Sequence, residues 1–201
     1  MKRPGIALAL ASTAIVVVSC SSGEDGGKPT EASSATVVTP SVAVSVKPAP
    51  DQPRNSLDPV KFDPCVGIGD DTVAKAGFEP KTRERRDQVH DDYAFIGCAF
   101  DRKEQVRGQA LGVGSLTIFS TNLTLEEFRK REGSGATGIK VNGRDAITYR
   151  KPAEEACYVV MVGPDATIDL RVSSTAALTN WNACDHAQEI AGIIESALPA
   201  K

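Results

Sequence analysis

The sequence predicts an α+β fold, in which a mostly antiparallel sheet packs against helices and two disulfides link the chain. Two observations lead to this prediction. Short apolar strand patterns follow one another through turn signals, as in successive hairpins, and helical patterns flank them at both ends. Four of the five cysteines fall in residues 58–201, an even number that suits a small exported domain. We therefore expect a single globular domain over 58–201.

The N-terminus carries a processing signal. Lys2 and Arg3 precede an uncharged apolar stretch, which predicts a signal peptide over residues 1–19. The run Val17-Val18-Ser19-Cys20 resembles a bacterial lipobox, in which the cysteine becomes the lipidated first residue of the mature chain. We expect Cys20 to hold the protein on the extracytoplasmic face of the cell membrane. The alternative is a plain secretory signal with an incidental cysteine.

Residues 20–57 are predicted to be a disordered tether that begins with the lipidated cysteine. They are rich in Ser, Pro and Ala and contain no aromatic residue. Such a segment buries too little apolar surface to offset the entropy of ordering it. The tether is expected to hold the domain away from the membrane.

The elements of the domain are predicted in chain order from periodicity and capping signals. We expect helices at 70–76, 124–132 and 183–198, and strands at 93–100, 111–120, 140–150, 157–162 and 166–173. Asp70 and Asn182 are expected N-caps, and Thr124 with Glu127 forms a capping box. Gly77 suits the left-handed position that closes a helix, and Asn142-Gly143 suits a tight turn.

The last predicted strand has an alternating pattern. Its apolar residues Ile168, Leu170 and Val172 alternate with the polar residues Thr167, Asp169 and Arg171. Because successive side chains of a strand point to opposite faces, we expect one face of the sheet to contact solvent here.

The cysteines of the domain predict disulfides and not a metal site. Four cysteines allow three connectivities, and we prefer Cys65 with Cys98 and Cys157 with Cys184. The first pair would join the chain entering the first helix to a central strand, and the second would join the start of a strand to the N-terminus of the last helix. Zinc knuckles need closely spaced cysteines, whereas no two cysteines here are closer than 27 residues. We expect no metal and no cofactor.

Catalytic motifs are not evident in their required context. Gly133 to Gly138 fits a dinucleotide-binding pattern, but it follows a helix and precedes a strand, which is the wrong order for that function. The two histidines, His90 and His186, lack a nucleophile motif beside them. The 23 basic and 26 acidic residues leave no basic excess for nucleic acid. We therefore predict no catalytic residues and no nucleic-acid partner.

Several motifs together resemble a family. Asp63-Pro-Cys65, Ala76-Gly77-Phe78 and Gly97-Cys98-Ala-Phe100, behind a lipobox and a tether, are similar to the actinobacterial lipoproteins grouped as domain of unknown function 3558. The resemblance implies a Cys65–Cys98 bridge and an envelope location, and it implies no activity. The order of elements is also similar to PsbP-like α/β/α sandwiches, an analogy of fold alone.

The functional hypothesis is a non-catalytic envelope lipoprotein whose domain binds a protein or an envelope ligand. Two alternatives remain. A carrier of an apolar ligand predicts a large cavity between the sheet and the last helix. A cell-wall-directed hydrolase predicts a cleft that gathers acidic residues, or His90 with a serine.

Overall fold

The computed structural model describes residues 40–54 and 56–200, all of which belong to one compact unit, 38–201. The expected signal peptide and Cys20 lie outside the described residues. Among the residues described, no helix is both long enough and apolar enough to cross a bilayer.

The described chain contains four α-helices and an eight-stranded sheet. The helices are α1 (Pro64–Gly67), α2 (Asp70–Lys75), α3 (Leu125–Glu132) and α4 (Ala183–Glu195). The strands are β1 (Glu84–Arg85), β2 (Gln88–Val89), β3 (Ala94–Val106), β4 (Gln109–Thr121), β5 (Thr137–Val141), β6 (Arg144–Lys151), β7 (Ala156–Val162) and β8 (Thr167–Ser174).

The sheet is antiparallel throughout the described pairs, which confirms the α+β prediction. Its strand order is β1-β3-β4-β8-β7-β6-β5, and β2 also pairs with β3. Hairpins connect β3 to β4, β5 to β6 and β7 to β8, whereas β4 and β8 become neighbours although the chain visits three strands between them. The early and late halves of the chain therefore share one continuous sheet.

Helices lie on both faces of the sheet, but they cover the two faces unequally. One face packs against α1, α2 and α4 in the main core, which includes Phe100, Leu116, Ile118, Val159, Met161, Leu170 and Ile194. On the other face α3 buries Leu125 and Phe128 against Phe95, Ile147 and Val160. A two-turn helix covers only part of a sheet this wide.

Most of the predicted local signals are confirmed. Thr124 and Glu127 form the capping box of α3, and the Asn182 side chain accepts a hydrogen bond from Cys184 N at the start of α4. The Asn142-Gly143 turn has φ values of 47° and 88°, and Gly77 has a φ of 87°. These positions adopt the left-handed conformation that their residue types allow.

The predicted role of Asp70 is wrong. Gly69 is the N-cap of α2, and Asp70 is the first helical residue. Its carboxylate accepts a hydrogen bond from Ala43 N at 2.8 Å and pairs with the buried guanidinium of Arg83 at 2.5 Å. The carboxylate therefore joins α2 to an upstream segment and to Arg83 instead of capping its own helix.

The β3–β4 hairpin is longer than its apolar pattern predicts. Strand β3 continues six residues beyond Phe100 and turns at Arg107-Gly108, whose φ values are 52° and 81°. The extension is polar because it projects from the core as a two-stranded ribbon. Hydrophobic periodicity therefore gives no signal for it.

Both preferred disulfides are confirmed. Cys65 bonds to Cys98 with a Cα–Cα distance of 5.0 Å, and Cys157 bonds to Cys184 with a Cα–Cα distance of 5.1 Å. The first fastens α1 to β3, and the second fastens β7 to α4. Both bridges therefore lie on the sheet face that carries the main core.

Residues upstream of Asp58 contact the domain. Ser41 O accepts a hydrogen bond from Asp70 N, Lys47 O accepts one from Arg85 Nε, and Val46 packs against the main core. The compact unit thus begins before residue 58, where the sequence pattern places its start. The Ser/Pro composition that indicates a tether does not distinguish a free segment from one that lies extended along a surface.

Candidate functional site

The half of the sheet face that α3 leaves uncovered forms a cleft of about 390 Å³. Strand pairing puts Thr117, Arg171, Tyr158 and Tyr149 side by side across β4, β8, β7 and β6, all on this face. Other lining residues come from the end of α3, from β3 and from the segment between β2 and β3. This cleft, called the Asp169 cleft below, is the candidate functional site.

Asp169 forms the buried part of the cleft. It lies on β8 between Phe119 of β4 and Val160 of β7, and it is only 7% exposed. Its Oδ1 atom has no hydrogen-bond partner among the described residues. Burial raises the pKa of the carboxyl group to about 7, although the positive charges of Arg131 and Lys151 oppose the shift. Unpaired buried carboxyl groups are costly, and they concentrate at functional sites.

Two stacked tyrosines form one wall of the cleft. The rings of Tyr149 and Tyr158 lie 4.7 Å apart with an interplanar angle of 4°. Burial raises the pKa of both phenols, so both remain neutral. Tyr158 donates its hydroxyl hydrogen to Glu154 Oε2 at 2.6 Å, and this hydrogen bond lowers the pKa of Glu154. The ammonium of Lys151 lies 5.1 Å from the Tyr158 ring centre and 5.8 Å from that of Tyr149.

Two arginines add positive charge to the cleft. Arg171 pairs with Glu154 at 3.2 Å, while its buried Nε has no hydrogen-bond partner among the described residues. Arg131, at the end of α3, donates to Glu132 at 2.8 Å and to the Tyr149 hydroxyl at 3.5 Å. The cleft therefore holds two unpaired buried polar groups on one strand, Asp169 Oδ1 and Arg171 Nε.

The opposite wall is a cluster of aromatic rings set edge to face. Phe95 contacts Tyr93, Phe119 and Phe128, with ring centres 5.6 to 6.3 Å apart. The Phe119 ring lies over Gly97, where a Cβ would overlap it. Glycine at 97 thus permits the wall to form, which gives a structural reason for the Gly-Cys motif.

A second cleft of about 500 Å³ continues along the same face toward β1. It shares Gln88, Phe119 and Arg171 with the Asp169 cleft, and its remaining lining comes from residues 82–87 and from β3 and β4. A ligand in the Asp169 cleft thus has room to extend across the sheet.

The residues singled out from the sequence are separated in space. Two structural disulfides, on the sheet face that carries the main core, contain Cys65, Cys98, Cys157 and Cys184. Cys20 lies outside the described residues. Within residues 40–54 and 56–200, no three His, Cys, Asp or Glu side chains are grouped as metal ligands.

The two histidines have different surroundings. His90 lines the Asp169 cleft, and its ring centre lies 4.5 Å from that of Tyr93. His186 lies on α4, and its ring stacks against that of Trp181, which precedes the helix, with ring centres 5.5 Å apart. Only His90 is therefore near the candidate site, and no serine lines the Asp169 cleft beside it.

Comparison with protein families matches residues 15–196 to the sequence model described as protein of unknown function (DUF3558). The chain belongs to the DUF3558 family. The match includes all four paired cysteines, α3 and Asp169, so the DUF3558 region contains the whole cleft. No curated protein and no solved structure matches the chain.

Sequence reasoning missed Asp169, because its alternating strand was expected to present a solvent-exposed face. The neighbouring strand contains the signal that contradicts this expectation. Residues 157–162 are apolar at every position, so β7 must be covered on both faces. A polar residue beside it on β8 then lies at the edge of the covered area, which is where Asp169 is buried.

The raised pKa of Asp169 predicts a specific pH dependence of stability. The folded state holds the proton more tightly than the unfolded state, whose pKa is about 3.9. The contribution of Asp169 to stability is thus fully present below about pH 4 and is lost as the pH rises through about 7. Asp169→Asn should remove this loss and gain up to about 4 kcal/mol over the wild type between pH 4 and pH 8. Urea unfolding of both proteins at the two pH values measures the difference, and parallel pH profiles would refute the assignment.

Proposed function

We propose that the protein is a non-catalytic lipoprotein, held on the extracytoplasmic face of the cell membrane through Cys20, whose domain binds a small ligand in the Asp169 cleft. The observation that carries the proposal is the pair of unpaired buried polar groups, Asp169 Oδ1 and Arg171 Nε, in a cleft with aromatic walls. A concave site in which polar groups converge between aromatic side chains is a common place for a ligand to bind.

The envelope location is supported by the N-terminal sequence and by the cysteines. A signal-like stretch ends in a lipobox-like Cys20, and every cysteine of the domain is in a disulfide. Disulfides persist in oxidising compartments outside the cytoplasm.

A small ligand fits the Asp169 cleft better than a protein partner does. The cleft measures about 390 Å³, and its carboxyl group lies at the bottom, 7% exposed. Clefts of roughly 300–1,000 Å³ suit small molecules, whereas protein interfaces are broader and flatter.

The apolar-carrier alternative is disfavoured, because the sheet-facing side of α4 is filled. Its residues Ala187, Ile190, Ala191 and Ile194 are buried in the main core. The cleft that we assign lies on the opposite face of the sheet and is lined by charged side chains.

A hydrolase is the second candidate function, because one observation favours it. The Asp169 cleft gathers two carboxyl groups, Glu154 and Asp169, whose pKa values are shifted in opposite directions. Such pairs serve as acid and base in glycosidases. Binding explains the cleft more simply, since Glu154 is already engaged by Tyr158 and Arg171. Release of a smaller product during incubation with the bound ligand would favour the hydrolase.

The lipid anchor predicts the behaviour of one variant. Cys20→Ala removes the thiol that would carry the lipid, so the protein should move from the membrane fraction to the soluble or secreted fraction. The measurement is fractionation of cells followed by immunoblotting, with Cys65→Ala/Cys98→Ala as the control that keeps the anchor. Retention of the Cys20 variant in membranes would contradict lipid attachment.

The ligand site predicts that the protein carries a small molecule when it is isolated gently. Native mass spectrometry of protein released from its own cells in mild detergent should show a non-covalent added mass. Asp169→Val removes the unpaired carboxyl group and should lose this mass, whereas Asp51→Val, at an exposed position, should keep it.

Two results of this mass comparison would contradict the proposal. One is a wild-type protein without an added mass, and the other is an added mass that persists in Asp169→Val. Either result means that the Asp169 cleft is not the ligand site.

A further inference from the structure

The unpaired atoms of the Asp169 cleft restrict what its ligand offers. Arg171 Nε carries a hydrogen and only donates, so the ligand must present an acceptor there. Asp169 Oδ1 accepts when the carboxyl group is ionised, so the ligand must present an O–H or N–H beside that acceptor. A ligand that carries an acceptor and a neighbouring donor on the same molecule can satisfy both Arg171 Nε and Asp169 Oδ1.

The charges of the cleft favour an anionic acceptor. Three cations, Arg131, Lys151 and Arg171, line the cleft, against two carboxyl groups, Glu154 and Asp169. Asp169 is only partly ionised near neutral pH, because burial raises its pKa to about 7. Arg131 is paired with Glu132 and Arg171 with Glu154, so Lys151 is the lining cation that has no carboxylate partner among the described residues, and its ammonium attracts an acid group.

The walls of the cleft favour a carbon skeleton between the polar groups. The stacked rings of Tyr149 and Tyr158 form one side, and the ring of Phe119 stands on the other. Burial against these rings stabilises C–H groups, whereas an inorganic ion alone leaves the rings without a contact. A short carbon chain or sugar fits the volume of about 390 Å³.

We propose that the Asp169 cleft binds an organic anion of the phosphorylated polyol class, in which the phosphate pairs with Arg171 and Lys151 and a neighbouring hydroxyl donates to Asp169. This inference rests on the proposed function, since it names the chemistry of the ligand at the same site. The phosphate belongs either to a soluble phosphorylated polyol or to the headgroup of a glycerophospholipid, which shares the same groups.

The test compares matched probes by isothermal titration calorimetry on the purified full chain at pH 7.5. Glycerol phosphate carries both groups, propyl phosphate lacks the hydroxyls, and glycerol lacks the phosphate. The wild type should bind glycerol phosphate more tightly than either other probe by on the order of tenfold, because each omitted group leaves a buried partner unpaired. Equal affinity for glycerol phosphate and propyl phosphate, or no heat from either, overturns the proposal.

Variants assign the two contacts. Asp169→Val should reduce the affinity for glycerol phosphate to that for propyl phosphate and leave propyl phosphate unchanged, which also shows that the variant is folded. Lys151→Met should weaken both phosphates by about tenfold, whereas Lys75→Met, exposed on α2 beneath the other face, should weaken neither. An unchanged preference for glycerol phosphate in Asp169→Val contradicts the hydroxyl contact.

Vesicles distinguish the two sources of the phosphate. If phosphatidylglycerol vesicles displace bound glycerol phosphate and phosphatidylcholine vesicles do not, the natural ligand is a lipid headgroup. If neither kind of vesicle displaces it, the ligand is a soluble phosphorylated polyol. Failure of this proposal is also distinguishable from failure of the proposed function. If native mass spectrometry shows an added mass that depends on Asp169 but no phosphate probe binds, the Asp169 cleft is still a ligand site and only the phosphorylated polyol is rejected.

Discussion

The sheet of this protein is wider than the helices that are available to cover one of its faces, and the other features follow from this mismatch. Helices α1, α2 and α4 cover the face that carries both disulfides. The opposite face receives only α3, which buries Leu125 and Phe128. Apolar residues of β6 and β7 lie under α3, and the remaining surface becomes a cleft. The covered area ends at β8, where the side chain of Asp169 is already buried but no group of the described residues satisfies its Oδ1 atom.

A buried, unpaired carboxyl group lowers stability at neutral pH, and the surrounding residues reduce this cost only in part. Arg131 and Lys151 favour the ionised form, while burial disfavors it more strongly. Replacement by an apolar residue would remove the cost. A ligand that supplies the missing hydrogen bonds explains both the stability lost by burying the Asp169 carboxyl group and the nearby unpaired Arg171 Nε. Stability given up at a site in this way is typical of binding and catalytic positions.

Local signals predicted much of the fold, and long-range contacts account for what they missed. The capping box at Thr124 and the Asn142-Gly143 turn depend on residues close together in the sequence, and each disulfide joins two cysteines that follow one another along the chain. All of these predictions are confirmed. The role of Asp70 depends on Ala43 and Arg83, which no local pattern relates to it. The burial of Asp169 required knowing that α3 covers β7, and the strand pattern of β8 alone indicated solvent. The site was therefore less predictable than the scaffold.

The central claim is that Asp169 is a buried carboxyl group whose Oδ1 atom has no partner in the described part of the chain, and its own titration tests this claim most directly. Carbon-13 NMR of the aspartate carboxyl groups, assigned with Asp169→Asn, follows this group from pH 3 to pH 9. We expect a midpoint near pH 7, where burial places it. A midpoint at or below the ordinary value of about 4 would show that the group is solvated or paired, and would contradict the account.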